Sequence, residues 1–265
     1  MSGAHADTAA LITGGGQGLG LAIAEALVAE GCKSLTLAGR TAAKLDSAAE
    51  GLRAKGATVH CVAVDMGQVD TVQSMVDQAA KAMGRITSLV NCAADTGRGS
   101  ILDTTPQVWD QIMDTNAKGA FFALQRFAQL AIEAGHGGTA VNILSIVVHG
   151  GLPFLAPYAA SKAALLNITK NSANTLARHQ IRVNGINVGW MDTPGEDMRQ
   201  KVSHDRPDGW LTDAEANMPF GQLVKPEEVA DLTSYFLGPR SGVVTGSIVD
   251  FDQQVVGVYP DTNDA

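Results

Sequence analysis

The chain has no run of about 18 apolar residues, so nothing in it reads as a membrane-spanning helix. It has no excess of positive charge either: 19 Lys and Arg stand against 27 Asp and Glu, a formal net charge of −8. That balance argues against nucleic acid or an anionic membrane as partner, since both select clustered cations. Cysteine is scarce. Cys32, Cys61 and Cys92 form no CxxC pair and no Cys/His cluster, so no metal site is expected and three reduced thiols in or beside the core are. The first residues, MSGAHADTAA, carry neither the basic start nor the apolar stretch of a secretory leader, and the expected location is the cytoplasm. Aromatic residues are only 5% of the chain against 29 glycines, which suits tight αβ connections better than an aromatic-rich β-sandwich.

What is present is a long, regular alternation. With 265 residues, 45% of them hydrophobic, the chain can fill one large core, and one domain over 1–265 is expected. β-leaning stretches stand at about 8–13, 34–39, 58–64, 86–91, 139–145, 181–187 and 247–251. Between them run segments with helical spacing, such as Leu19-Ile23-Ala26-Leu27 and Val69-Val72-Met75-Val76-Ala79. Strands alternating with helices of this length imply right-handed crossovers. The predicted fold is α/β: a doubly wound Rossmann-type domain whose seven-stranded parallel sheet is flanked by helices on both faces. The stretch at about 194–218 shows no regular pattern and is expected to be an irregular lid.

Thr13-Gly-Gly-Gly-Gln-Gly-Leu-Gly20 follows the first strand and opens the first helix. Gly14 permits a tight turn, Gly18 lets a pyrophosphate approach the backbone, and Gly20 allows close helix packing. The helix N-terminus then offers N–H donors and a positive dipole end to phosphates. The spacing is TGxxxGxG rather than GxGxxG. At the end of the second strand, an NAD site commonly has an acidic residue for the ribose 2′-hydroxyl. Here Gly39 and Arg40 stand there, and a guanidinium suits a 2′-phosphate, so NADP(H) is expected over NAD(H), which stays open as the alternative.

Tyr158-Ala-Ala-Ser-Lys162 begins a helical segment and puts Tyr158 and Lys162 on one face, a turn apart. A nearby ammonium lowers a phenol's pKa from its usual value near 10. Ser145 ends a buried-looking strand, and strand C-termini line the ligand crevice of open αβ sheets. Asn116 follows the fourth strand. These motifs, with Asp65, NCAA at 91–94 and IRVNGINVG at 181–189, resemble the short-chain dehydrogenase/reductase family in its compact single-domain form over most of the chain.

The resemblance implies hydride transfer between nicotinamide C4 and a carbonyl or secondary alcohol, without a metal. It implies Tyr158 as general acid/base, Ser145 as hydrogen-bond partner of the reacting oxygen, and Lys162 as holder of the ribose hydroxyls that also depresses the Tyr158 pKa. Asn116 would anchor a water linking Lys162 to solvent. For the cofactor it implies Gly14, Gly16, Gln17, Gly18, Leu19 and Gly20 at the phosphates and Arg40 at the 2′-position. Asp65 would contact adenine, Asn91 and its neighbours, Ala93 among them, would line the cofactor, Thr193 would bind the carboxamide, and Met66, Gly189 and Met191 would also touch the cofactor.

Three places depart from the family pattern: Ala94 for a Gly, Val188 for a Pro, and Phe251-Asp252-Gln253-Gln254 for a glycine-rich ending. Substrate walls are expected from Ala94, Asp95, Val147, His149, Trp190, Met191 and Trp210. Asp95 and His149 favour a small polar substrate such as a sugar, polyol or hydroxy acid. The helix with Phe121, Phe122, Leu124, Phe127 and Leu130 carries more large apolar groups than one sheet face needs. The resemblance implies that it pairs with the Tyr158 helix across a two-fold axis, giving a homotetramer or homodimer. The rival readings are a non-catalytic dinucleotide sensor, or a sugar-nucleotide epimerase or dehydratase of the same fold.

Overall fold

The computed structural model describes residues 3–258. The ends of the expected one-domain span, 1–2 and 259–265, lie outside the described residues. Seven strands stand within two residues of the expected segments. They are β1 (Ala9–Thr13), β2 (Ser34–Gly39), β3 (Thr58–Ala63), β4 (Ser88–Asn91), β5 (Gly138–Ser145), β6 (Ile181–Val188) and β7 (Ile248–Phe251). All pair in parallel, in the order β3-β2-β1-β4-β5-β6-β7. The winding direction therefore reverses between β1 and β4, and their crossovers part there to open a crevice at the strand C-termini.

The two faces of β1 show how the layers form. Ile12 packs into one core with Leu19, Ile23 and Leu27 of helix α1 (Gly18–Ala29), Leu45 and Leu52 of α2 (Ala42–Ala54), and Val229 and Phe236 of α9 (Pro226–Leu237). Leu11, its neighbour, points the other way. It joins Val72, Met75, Val76 and Ala79 of α3 (Val69–Met83), with Leu124 and Phe127 of α5 (Gly119–Glu133). The spacing of those four α3 positions is the helical stripe read from the sequence. Helix α4 (Pro106–Met113) runs through a π-turn at Asp114–Lys118 into α5, and α6 (Ala156–Leu176) follows β5.

The 194–218 stretch is not irregular as expected. It forms α7 (Pro194–His204) and α8 (Trp210–Ala216). Local end signals outweigh its missing apolar stripe: the Thr193 hydroxyl accepts from Glu196 N at 3.1 Å, Pro194 occupies the first turn, and Glu196 and Asp197 face the positive end of the helix. Trp210, 3% exposed, stacks on Trp190 with centroids 5.9 Å apart and donates to Asp197 at 2.9 Å, locking α8 onto α7.

Cys32, Cys61 and Cys92 are free thiols, and burial pushes Cys92 up to about 12. Among the described residues no helix is long and apolar enough to cross a membrane.

Candidate active site

One cleft of about 1400 Å³ runs along the C-terminal ends of β1, β2, β4, β5 and β6. One end of it is the glycine turn. Gly14 N donates to Ala38 O at 2.7 Å, tying the turn to β2. A Cβ on Gly20 would lie 2.3 Å from Gly14 O, so α1 can start this close to the turn only with glycine there. Gly18 holds φ at +53°, and the nearest atoms to a Cβ there belong to Thr193 at 3.7 Å, across the cleft at the start of α7. The Thr13 hydroxyl accepts from Cys92 N and Ala93 N at 3.0 and 3.1 Å, fixing the β4 exit against the turn.

Arg40 is exposed at the cleft edge, and Lys44 lines the same end, donating to Gln17 at 2.5 Å. The sequence reading passed over Lys44 because a helix-surface lysine carries no motif. Asp65 and Met66 complete this end, where Asp65 accepts from Gly67 N at 2.9 Å. Gly16, Gln17, Leu19, Ala93, Gly189, Met191 and Thr193 also line the cleft. This cradle, with the N-terminus of α1 opening on it, fits a dinucleotide. Asn91 does not line it. Its Nδ2 is spent on Asn142 at 2.9 Å and Ala120 O at 3.2 Å, inside the sheet.

At the other end Ser145, Tyr158 and Lys162 meet. Ser145 ends β5 and caps a short 3-10 turn at Ile146–Val148, while Tyr158 and Lys162 stand in the first turns of α6. Lys162 is 2% exposed, its Nζ 5.8 Å from the Tyr158 ring centroid and donating to Ile143 O at 2.7 Å. Burial lowers its pKa to about 8. Tyr158 is pushed up to about 12 by burial, against the pull of a hydrogen bond from Ser145 and the charge of Arg199. In the protein alone, desolvation is the largest influence on both groups.

Asn116 holds its side chain among protein partners. It sits in the π-turn, 1% exposed, with its Nδ2 donating to Asp95 O and Ser161 Oγ at 2.8 and 2.9 Å and its Oδ1 accepting from Asp95 N at 2.7 Å. Both its side-chain N–H donors are committed within the protein, so the side chain staples the β4–α4 loop to α6.

Of the expected substrate walls, Ala94, Val147, Trp190 and Met191 line the cleft, and Asp95, His149 and Trp210 do not. Asp95 is turned away to Gly97 N and Gln111. The His149 Nε2 pairs with Asp250 at 2.9 Å, on the β7 side. Sequence reading missed Thr96, Arg98, Phe154, Glu196 and Arg199, all on this wall. Asp252, Gln253 and Gln254 line the cleft as well, giving the unusual C-terminal segment a place at the site.

Residues 14–253 match the family model described as enoyl-(acyl carrier protein) reductase. The chain is 32% identical to 2-(S)-hydroxypropyl-CoM dehydrogenase 3 of Xanthobacter autotrophicus, covering 91% of this chain and 93% of that protein. It is 32% identical to gluconate 5-dehydrogenase of Gluconobacter oxydans, covering 95% and 94%. Among solved structures, L-sorbose reductase of Gluconobacter frateurii, complexed with NADPH and L-sorbose, superposes with a TM-score of 0.89 at 27% identity, covering 98% of each chain.

Proposed function

The chain belongs to the short-chain dehydrogenase/reductase family and is a nicotinamide-dependent oxidoreductase acting on CH–OH groups; on that premise we propose that Tyr158, Ser145 and Lys162 carry its chemical step. The observation that carries this is their convergence at the end of β5, in the cleft that begins at the glycine turn. A bound nicotinamide supplies or accepts the hydride. Gly189, Met191 and Thr193 would hold the ring, Lys162 the ribose hydroxyls, and the turn from Gly14 to Gly20 the phosphates.

The Ser145 hydroxyl donates a hydrogen bond to the reacting oxygen and polarises it. Tyr158, held protonated by its burial, gives that oxygen a proton as negative charge develops on it. In the reverse direction the phenol must first lose its proton, so alcohol oxidation gains with rising pH while carbonyl reduction proceeds at neutrality. Asn116 is a positioning residue, fixing Ser161 beside Lys162.

NADP(H) is the proposed cofactor. No acidic residue stands at the end of β2 to repel a 2′-phosphate, and Arg40 and Lys44 flank the place where it would lie. The substrate is a small polar carbonyl or alcohol, in keeping with the gluconate and sorbose in the names of similar proteins. The proposed form is a cytoplasmic homotetramer or homodimer, each chain one domain with α7 and α8 as its lid.

The test is a panel of ketones, sugars and polyols assayed with each reduced and oxidised cofactor. The expected result is turnover with kcat/KM higher for NADPH than NADH, the ratio falling about ten-fold or more in Arg40→Ala. A wild-type ratio below one, or no fall in the variant, overturns the cofactor assignment. No turnover with any carbonyl or alcohol overturns the catalytic one.

A further inference from the structure

The wall facing Tyr158 holds more positive charge than the fold uses. Arg98 leaves the β4–α4 loop half-buried, with its guanidinium 4.6 Å over the Phe154 ring. Its Nε is buried and has no acceptor, and among the described residues no oxygen accepts from any of its five N–H groups. Arg199 reaches across from α7 and donates to Thr96 through both terminal nitrogens, to the carbonyl and to the hydroxyl. Among the described residues the one carboxylate paired with this cluster is Glu196, 3.9 Å from Arg199 Nε, and its Oε1 already accepts from Trp190 and Gln200 at 3.0 and 2.7 Å. Two guanidiniums therefore share one carboxylate. Burial and the neighbouring Arg199 hold the Arg98 pKa below the usual arginine value, the mark of a cation short of a counter-charge. Stacking on Phe154 leaves the guanidinium's edge, where the donors lie, without a partner.

Resting on the oxidoreductase reading above, we propose that Arg98, supported by Arg199, binds an oxyanion on the substrate. The molecule reduced or oxidised here then carries a carboxylate or phosphate in addition to its reacting carbonyl or hydroxyl. The planar fork of Arg98 suits two oxygens of one such group. Position agrees. Arg98, Arg199, Ser145 and Tyr158 line one cleft, and the Arg199 charge reaches the Tyr158 hydroxyl. The wall continues outward through Arg206 and through His204, whose Nε2 is also buried without a partner. The cofactor's phosphates would lie by the first turn of α7, which faces the glycine turn, since a Cβ on Gly195 would come within 3.8 Å of Gln17. Arg199 stands a turn further along the helix and reaches Thr96.

The test uses matched pairs: 4-oxopentanoate against its methyl ester, and dihydroxyacetone phosphate against dihydroxyacetone. Each is reduced with NADPH by wild type, Arg98→Met and Arg98→Lys. The expected result is a preference of about ten-fold or more in kcat/KM for the anionic member of at least one pair. Arg98→Met should erase most of that preference through KM, and Arg98→Lys should restore part of it. The pair that shows the preference tells carboxylate from phosphate.

Equal or better use of the neutral member in both pairs overturns the proposal. So does a loss of NADPH affinity in Arg98→Met, which would assign the guanidinium to the cofactor. If none of the four is turned over, tryptophan fluorescence of the NADPH-saturated protein is titrated with acetate and with inorganic phosphate, since Trp190 lines the cleft beside Glu196. A saturable change that Arg98→Met abolishes upholds the anion site whether or not these four compounds are substrates, and the catalytic reading is decided by the full panel. No change, or the same change in the variant, overturns it.

Discussion

Lys162 sits almost wholly out of water, and a charge in that place is costly. Its pKa falls from 10.5 to about 8, so between those values the unfolded chain binds a proton that the folded one does not. Stability then rises with pH across that window, by about 3 kcal/mol in all, and below pH 8 the full penalty stays. The raised Cys92 thiol and Tyr158 phenol act oppositely above pH 9 and 10, so the comparison is with Lys162→Met, which keeps both groups. The Lys162 charge pulls the thiol's pKa down, so loss of the ammonium adds to the difference in the same direction. Denaturant unfolding at pH 7.5 and 10.5 should show wild type gaining on Lys162→Met by about 2 to 3 kcal/mol. Parallel curves would contradict the buried, partly discharged lysine. The expected roles of Ser145, Tyr158 and Lys162 came from the resemblance to the family. That Ser145 ends a strand and that Tyr158 and Lys162 share a helix face was legible from sequence, since both need only local geometry. Arg98 and Arg199 were not. They are 101 positions apart, and only the packing of α7 on the β4–α4 loop, through Thr96, brings them to one wall. Asp95 and His149 misled for the same reason: each had a nearer partner, Gln111 and Asp250, that sequence does not reveal.

At the scale of elements, strands and the helices packed on the sheet follow from apolar periodicity, since burial on one face is what writes it. Helices α7 and α8 bury little, so that signal is absent, and their evidence in the sequence is confined to ends: Thr193, Pro194 and the acidic first turn. Their attachment comes instead from indole contacts. Trp210→Ala removes the stack on Trp190 and the bond to Asp197, and should cost the lid about 2 kcal/mol or more. Amide hydrogen exchange would show this as faster exchange across 194–216 with the β-sheet amides unchanged. Uniform acceleration across the chain would mean that Trp210 supports the whole core instead. The π-turn at Asp114–Lys118 had no sequence signature, although it is what sets Asn116 between Asp95 and Ser161.

On the scale of the whole molecule, the strand order places the reversal at β1 and β4, and so puts the glycine turn and the end of β5 along one cleft. On the proposed reading, the phosphate cradle and the acid/base group are thereby separate devices on one scaffold. Removing the second should leave the first intact. Tyr158→Phe keeps the ring and its packing and deletes only the hydroxyl. With a substrate found in the panel, the account predicts that turnover falls about 10³-fold or more, while NADPH affinity measured by fluorescence titration changes by less than about ten-fold. Turnover near the wild-type rate in that variant would contradict the assignment of Tyr158 as the proton donor, and with it the account of how this cleft works.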